Sequence, residues 1–366
     1  MDWGALIRPE LDGMSPYRPG LRASQVQERT GRSEVLKLSS NEYPLGPVPA
    51  AIAAMTAALP ELNRYPEGDC GPLRERLSRH WGVDERFICV SNGSNELLRL
   101  IGQVVLRPGD EVVYAWPSFV VYPSVAQLFG AVCVPVPLTP DLRHDLPAML
   151  AAITPATRLL FLCNPNNPTG TIYDRGEFTA FMAAVPDHVL VVVDEAYFEF
   201  ADDPSYPDAL DAFDGQRPLA VLRTFSKIYS LAGQRVGYGF MPVPLRDAID
   251  KVREPFNVNS VGQAGALASL DDQVEVVRRK HENREQKTYL YSCFDRLGIG
   301  YVPSQANFVW IKTKRPVEVF EELLGEGVIA RDFGTAPALR LGVGTPSDTR
   351  HTIAAFENIV GRLGSI

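Results

Sequence analysis

Cysteine and histidine are scarce in this chain, and neither is arranged as metal centres require. The 366 residues contain five cysteines without a C-x-x-C pair and five histidines without a pair at ligand spacing. Three of the cysteines fall in apolar, strand-like runs, which favours buried free thiols over disulfides. We therefore expect neither a bound metal nor a disulfide framework.

Long hydrophobic runs and an excess of positive charge are also missing. The apolar run 189–193 is far shorter than the ~18 residues of a membrane span, and Met1-Asp2-Trp3-Gly4 lacks the pattern of a signal peptide. The formal net charge of −8 gives no general attraction to nucleic acid or to anionic membranes. We expect a soluble, cytoplasmic protein without nucleic-acid or membrane partners, in which local groups hold any anionic ligand.

The glycine motifs of nucleotide-binding enzymes do not occur either. The chain contains neither G-x-x-x-x-G-K-[ST] nor G-x-G-x-x-G. A P-loop and a dinucleotide-binding turn both depend on such glycines, because backbone N–H groups must approach the phosphates closely. A kinase or a nicotinamide-dependent dehydrogenase is therefore disfavoured.

What the chain does contain is an ordinary globular composition and a repeated alternation of strands and helices. Hydrophobic residues make up 45% and charged residues 22% of a length that exceeds the ~150 residues of one typical domain. Continuous apolar runs separated by helical patterns predict a mainly parallel sheet that is buried on both faces. The predicted strands are 87–91, 111–115, 131–136, 158–163, 189–193, 219–223 and 236–241.

The pattern changes after Glu254-Pro255, where helices and short strands mix without regular alternation. Strands are predicted over 307–312 and 339–342, and helices over 263–290, 317–324 and 348–363, the last one capped by Ser347. We therefore predict an α/β protein in three parts. They are an irregular N-terminal arm (1–38), a large domain whose mainly parallel sheet is sandwiched by helices (39–252), and a smaller α+β C-terminal domain (253–366).

Polar residues follow the predicted strands at the edge where open α/β sheets bind ligands. Gly93-Ser94-Asn95 joins a strand to a helix, and free backbone N–H groups there attract anions. An ordinary capped turn is the alternative interpretation. Arg235, together with Thr224 and Ser226, would close a second side of such an anion site.

Two charged residues at strand ends suggest what the anion belongs to. Asp194 ends a run of five aliphatic residues, where a carboxylate is costly unless a cation meets it. It is either a cap or structural ion pair, or the counter-charge of a protonated ring nitrogen. Lys227 is either a surface lysine or an amine with a lowered pKa that attacks a carbonyl. Together these parts describe a site for pyridoxal 5′-phosphate.

With these motifs, the chain resembles the fold-type I pyridoxal-phosphate aminotransferases over nearly its whole length, and it is similar to their histidinol-phosphate branch. The motifs of the wider class are Asn164-Pro165-Asn166-Asn167-Pro168-Thr169-Gly170, Asp194-Glu195-Ala196-Tyr197 and Thr224-Phe225-Ser226-Lys227. The motifs that point to the branch are Tyr17-Arg18-Pro19-Gly20 and Asn63-Arg64-Tyr65-Pro66, and the segment Leu38-Ser39-Ser40-Asn41-Glu42 also belongs to the resemblance.

The resemblance implies which residues carry the chemistry. It implies that Lys227 attaches the cofactor and moves the substrate proton. It also implies that Asp194 pairs with the pyridine nitrogen, and that Asn167 and Tyr197 bond the phenolic oxygen. The expected catalytic residues are therefore Lys227, Asp194 and Tyr197.

The same resemblance implies a binding shell around them. Phe119 is expected to stack on the cofactor ring, with Trp116 as the fallback. The substrate's anionic end is expected to meet Tyr17, Arg331 and Arg340. The phosphate is expected to be held by Gly93, Ser94, Asn95, Thr224, Ser226, Arg235 and, from the neighbouring subunit of a homodimer, Tyr65.

Three residues depart from the usual pattern of the branch: Tyr43, Phe119 and Gln234. They concern the substrate rather than the mechanism. The resemblance implies amino transfer between histidinol phosphate and 2-oxoglutarate, in histidine biosynthesis. The alternatives are an aromatic amino-acid (phenylalanine or tyrosine) aminotransferase, a pyridoxal-phosphate decarboxylase of an amino-acid phosphate, and a non-catalytic pyridoxal-phosphate-binding regulatory module.

Overall fold

The computed structural model describes residues 6–334 and 336–366, so the N-terminal Met1-Asp2-Trp3-Gly4 lies outside the described residues. Within these ranges the helices are α1 (Ala23–Thr30), α2 (Pro49–Ala58), α3 (Gly71–Trp81), α4 (Ser94–Val105), α5 (Val121–Leu128), α6 (Leu146–Ala151), α7 (Arg175–Ala184), α8 (Val243–Asp250), α9 (Ser260–Ser269), α10 (Gln273–Leu297), α11 (Pro316–Gly325) and α12 (Pro346–Leu363). The strands are β1 (Leu36–Lys37), β2 (Ile88–Ser91), β3 (Glu111–Trp116), β4 (Val132–Pro137), β5 (Thr157–Cys163), β6 (Leu190–Asp194), β7 (Leu219–Thr224), β8 (Gly237–Phe240), β9 (Gly300–Val302), β10 (Phe308–Lys312), β11 (Val328–Ile329), β12 (Arg331–Asp332) and β13 (Ala338–Gly342). None of the helices in the described ranges is long and apolar enough to cross a membrane.

A seven-stranded sheet forms the centre of the molecule, in the order β2-β8-β7-β6-β5-β3-β4. The strands β3 to β7 run parallel to their neighbours among themselves, and β8 runs antiparallel to both β7 and β2. All seven sequence-predicted strands are present, so the mainly parallel sheet is confirmed. Because β5, β6 and β7 pair in parallel, their carboxyl ends meet at one edge of the sheet.

Both faces of this sheet are buried, which explains the continuous apolar runs. On one face Val191, Val193 and Val221 join one large core cluster, and on the other Val192 and Leu222 join a second. Since side chains alternate along a strand, the residue two positions after Val192 lies on the same face. That residue is Asp194, which therefore ends β6 inside the protein rather than in solvent.

The C-terminal region has its own antiparallel sheet, in the order β12-β13-β10-β9. Its core contains Phe294, Val309, Leu339 and Phe356, each fully buried. An antiparallel sheet covered by helices agrees with the predicted α+β character of this region.

The N-terminal arm is less irregular than predicted. Residues 23–30 form α1, whose Val26 packs against Leu324 and Ile329. Leu36 of β1 then pairs in parallel with Val328 of β11. The arm thus belongs structurally to the C-terminal region, a long-range contact that local sequence pattern does not reveal.

Two local predictions are wrong. The helix predicted over 263–290 is interrupted, because the Asp272 side chain accepts a hydrogen bond from the Glu275 N–H and begins α10 there. The cap of the last helix is Thr345 rather than Ser347, since Thr345 accepts from the Asp348 N–H in a capping box and Pro346 occupies the first helical position. The three-part division of the chain stays a prediction, and α9 bears on its boundary because Ala266 packs in the core of the large sheet.

Candidate active site

A cavity of about 350 Å³ opens where the carboxyl ends of β5, β6 and β7 meet the N-terminus of α4. Most of the sequence-predicted site residues line it, although they come from widely separated segments. They are Tyr17, Ser94, Asn95, Phe119, Asn167, Asp194, Tyr197, Thr224, Ser226, Lys227, Arg235 and Arg340. The topology of the sheet therefore brings together what the sequence motifs only suggest.

One wall of the cavity is shaped for an anion. Gly93, with φ of 83°, precedes α4, and a Cβ atom on it would lie 2.5 Å from Arg235 Nη2. The backbone can approach the guanidinium that closely only because residue 93 has no side chain. Thr224 Oγ1 donates to Ser226 Oγ at 3.0 Å, and Arg235 Nη1 donates to the same oxygen at 3.4 Å. A helix N-terminus, two hydroxyls and a guanidinium thus converge, as in phosphate sites.

The opposite end of the cavity holds a buried carboxylate. Asp194 is 3% exposed, and its Oδ2 accepts a hydrogen bond from the Tyr122 hydroxyl at 3.0 Å. Among the described residues its Oδ1 has no hydrogen-bond partner. Burial raises the pKa of Asp194 to about 6, against the lowering effects of Tyr122, the Ala196 N–H and Lys227. An ionised carboxylate here needs a cationic partner, which the cavity leaves room for.

Lys227 lies between these two ends. Its Nζ donates to the Ser40 carbonyl at 3.4 Å and lies 5.5 Å from the centroid of the Tyr197 ring. Burial and, after it, the positive charge of Arg340 lower the pKa of Lys227 to about 8. A lowered pKa enlarges the fraction of neutral amine near neutral pH, and the neutral amine is the form that attacks a carbonyl.

Hydrogen bonds orient the polar groups on the third side of the cavity. Arg340 donates to Asn167 Oδ1 at 2.5 Å and to the Ser39 carbonyl at 2.7 Å. Asn41 Nδ2 donates to the Tyr197 hydroxyl at 2.8 Å. Asn41 is a site residue that the sequence prediction missed as such, although the motif Leu38-Ser39-Ser40-Asn41-Glu42 contained the signal.

Other predicted residues lie at or beyond the mouth of the cavity. Arg331 donates to the Arg18 carbonyl at 2.9 Å, and its guanidinium carbon lies 5.7 Å from the centroid of the Tyr17 ring. Tyr65 is 83% exposed and stacks on Phe256 with ring centroids 4.7 Å apart. Neither Arg331 nor Tyr65 belongs to the described lining of this chain's own cavity.

The structure distinguishes between the two candidate stacking residues, Phe119 and Trp116. Phe119 lines the cavity, and its ring meets Tyr122 edge-on with centroids 5.7 Å apart. Trp116 is 42% exposed and lies outside the described lining. The geometry favours Phe119. Among the three departures from the branch pattern, Phe119 alone is part of the described lining, whereas Tyr43 stacks on Phe200 in the core.

A comparison with known protein families identifies the family to which this chain belongs. The sequence profile of the family described as "Aminotransferase class I and II" matches residues 33–356. The chain therefore belongs to the class I and II aminotransferase family, which confirms the predicted family and fold class.

Within that family, the chain is similar to histidinol-phosphate aminotransferases. It is 44% identical to the histidinol-phosphate aminotransferase of Moorella thermoacetica, over 96% of this chain and 92% of the relative. It is 45% identical to that of Symbiobacterium thermophilum, over 97% and 99% of the two chains. A crystal structure of histidinol-phosphate aminotransferase from Sinorhizobium meliloti in complex with pyridoxal-5′-phosphate aligns with a TM-score of 0.90 at 26% identity, covering 98% of both chains.

Proposed function

We propose that this chain catalyses pyridoxal-phosphate-dependent amino transfer between histidinol phosphate and 2-oxoglutarate, a step of histidine biosynthesis. The observation that carries the proposal is the meeting of Lys227, Asp194 and the anion wall in one cavity. The relatives that are 44% and 45% identical support the choice of substrate. The cytoplasmic location stays a prediction from the sequence.

The residues of the cavity fit the cofactor group by group. The unpartnered Oδ1 of the buried Asp194 suits a protonated ring nitrogen, and the wall formed by Gly93, Ser226 and Arg235 suits a phosphate. Lys227 suits an aldehyde, and Phe119 offers a ring face. When bound, pyridoxal phosphate supplies an electron sink for the bond that breaks at the substrate α-carbon.

The protein's own part in the proposed reaction is proton transfer and positioning. With pyridoxal phosphate bound, Lys227 would be the general base that takes the proton from the substrate α-carbon and the general acid that returns it. A pKa near 8 suits this exchange, because both protonation states are populated near neutral pH. Tyr197, held by Asn41, and Asn167, held by Arg340, donate to the phenolic oxygen. Asp194 keeps the ring nitrogen protonated.

Arginine residues are proposed to bind the substrate's anionic end. Arg340 is 8% exposed, and its Nε has no hydrogen-bond partner among the described residues. A guanidinium binds a carboxylate or a phosphate through two charge-assisted hydrogen bonds. We propose that Arg340 serves both substrates and that Arg331, with Tyr17, adds a contact to the phosphate of histidinol phosphate.

We also propose a homodimer with shared active sites. Tyr65 and Phe256 stack on each other at the surface, where they are 83% and 43% exposed, and the neighbouring Leu62 is 57% exposed. Such grouped apolar exposure marks an interaction surface. In the proposed dimer, Tyr65 reaches the phosphate site of the partner subunit.

A donor panel tests the proposed function. The holoenzyme is mixed with histidinol phosphate, phenylalanine, tyrosine or aspartate, and conversion of the cofactor to its pyridoxamine form is followed by absorbance. We expect histidinol phosphate to convert the cofactor most efficiently, with no conversion in Lys227→Ala. A clear preference for phenylalanine would place the protein among aromatic aminotransferases, and conversion by no donor would favour a binding module.

A further inference from the structure

A fully buried arginine lies behind the cavity, on the opposite face of the large sheet from Asp194. Arg223 is 0% exposed, and its guanidinium carbon lies 4.0 Å from the centroid of the Trp81 ring and 3.5 Å from that of the Phe198 ring. Its Nε and Nη2 both donate to Glu195 Oε2, at 2.9 and 2.8 Å. Its Nη2 also donates to Asp208 Oδ1 at 2.6 Å. The guanidinium is thus fixed by two rings and two carboxylates.

This arrangement is not explained by fold stability. Removing two charges from water costs so much that apolar residues of similar volume often do as well or better. Apolar side chains such as Val221 and Phe240 share this face of the sheet, and a further buried carboxylate, Glu199, lies near enough to interact with the charge of Arg223. A charged cluster in such a core suggests that its directional bonds matter more than its contribution to the free energy of unfolding.

The contacts of Arg223 alternate with the residues that face the cavity. In the segment 194–197, Asp194, Ala196 and Tyr197 line the cavity, whereas Glu195 binds Arg223. Phe198, the next residue, stacks on the guanidinium. Arg223 therefore contacts the residues on either side of Ala196 and Tyr197, and one of them, Glu195, directly follows Asp194.

Arg223 also adjoins the second segment that lines the cavity, residues 224–227. Arg223 directly precedes Thr224, and Thr224, Ser226 and Lys227 line the cavity. Glu195 is itself fixed, since its N–H donates to the Leu222 carbonyl at 2.9 Å and its Oε1 accepts from the Ala209 N–H at 3.0 Å. A single rigid side chain thus connects the segment that carries Asp194 with the segment that carries Lys227.

We propose that Arg223 is a positioning residue, which sets the placement of segment 194–197 relative to segment 224–227 and so determines the affinity for pyridoxal phosphate. The proposal rests on the proposed function, because that cofactor is the group both segments would hold. Arg223 touches neither the cofactor nor the substrate. It acts through Glu195 and Phe198 on the side chains that do.

Three variants test whether Arg223 positions the two cavity-lining segments or only fills space in the core. Arg223→Met keeps the length and removes the bonds, and Arg223→Lys keeps the charge without the planar fork. The double variant Arg223→Met/Glu195→Gln removes the charges of Arg223 and Glu195 together, so that only Asp208, whose side chain is 30% exposed, loses a charged partner. Ile359→Ala, in the fully buried core of the C-terminal region, is the control for lost packing far from the cavity.

The measurements are the Tm of each cofactor-free protein, the Kd for pyridoxal phosphate, and the pH at which the absorption band of the bound cofactor shifts. We expect Arg223→Met to lower the Tm and to raise the Kd about 10- to 100-fold, the usual range when a partner that orients direct ligands is lost. Arg223→Lys should lie in between. The double variant should regain Tm but not affinity or the wild-type band, whereas Ile359→Ala should lose Tm alone.

Two outcomes would overturn the proposal. If the double variant regains affinity together with Tm, or if all Arg223 variants bind the cofactor as tightly as the wild type, Arg223 is structural only. If the wild-type protein itself binds no pyridoxal phosphate, the proposed function fails and this proposal fails with it. The wild-type titration therefore distinguishes the two failures.

Discussion

The deep end of the cavity and its mouth differ in how their side chains are held. The deep end consists of Asp194, Tyr197 and Thr224, each at most 4% exposed and each placed at or just beyond the end of a buried strand. The mouth consists of Tyr17 and Arg331, which are contributed by the N-terminal arm and by the edge strand β12. Tyr17 is 68% exposed. The groups to which we assign the chemistry are thus held by the buried sheet, whereas Tyr17 and Arg331, to which we assign part of the substrate recognition, lie on the arm and on an edge strand.

The largest effect is expected at the deep end, in Asp194→Asn. Breaking a buried charge pair costs roughly 3–5 kcal/mol, or about 150- to 5000-fold if all of it appears in the rate, and the substituted amide cannot keep the ring nitrogen protonated. The variant should still bind the cofactor, which absorbance after gel filtration checks.

Tyr122→Phe is the matched control, since it removes only the 3.0 Å hydrogen bond to Asp194 Oδ2. It should lose far less activity than Asp194→Asn. Near-normal turnover in Asp194→Asn would mean that the carboxylate is structural.

A smaller effect is expected at the mouth. Loss of a charged hydrogen bond costs roughly 1.5–3 kcal/mol, so Arg331→Ala should lower kcat/KM for histidinol phosphate about 10- to 150-fold. It should affect phenylalanine less, whereas Arg340→Ala should affect every substrate. Equal losses for both donors in Arg331→Ala would remove the phosphate contact from Arg331.

Mixing two inactive dimers tests whether a partner subunit completes the phosphate site. Tyr65→Ala and Lys227→Ala should complement, because each hybrid dimer contains one site with an intact Lys227 and an intact partner Tyr65. Random exchange should restore about a quarter of wild-type activity, as half of the dimers are hybrids with one competent site each. No recovery, when subunit exchange is verified by mass spectrometry, would argue against shared sites.

The smallest effect is a shift in pH dependence. Lys227 attacks as the neutral amine, and its pKa is lowered from the usual 10.5 to about 8 by burial and then by the charge of Arg340. The rate of pyridoxal phosphate attachment to the cofactor-free protein should therefore rise with pH through a midpoint near 8. Arg340→Leu should move this midpoint upward, and an unchanged midpoint would mean that burial alone sets the pKa.

The contrast between the deep end of the cavity and its mouth also explains which features could be predicted from the sequence. The deep end was predictable, because polar motifs directly follow apolar strands and parallel strands align their carboxyl ends. The contact between Asn41 and Tyr197 joins residues 156 positions apart, and no local pattern encodes it. The break before α10 was missed because the sequence on both sides of Asp272 is helical in composition, rich in alanine before it and in charged residues after it.

The interpretation of Lys227 can be tested most directly by chemical trapping. The wild-type holoenzyme is reduced with borohydride, digested and examined by mass spectrometry. We predict that the cofactor is fixed on Lys227 and that Lys227→Ala carries none. Cofactor fixed on another lysine, such as the buried Lys287, or on no lysine at all, would contradict the assignment of this cavity as the active site.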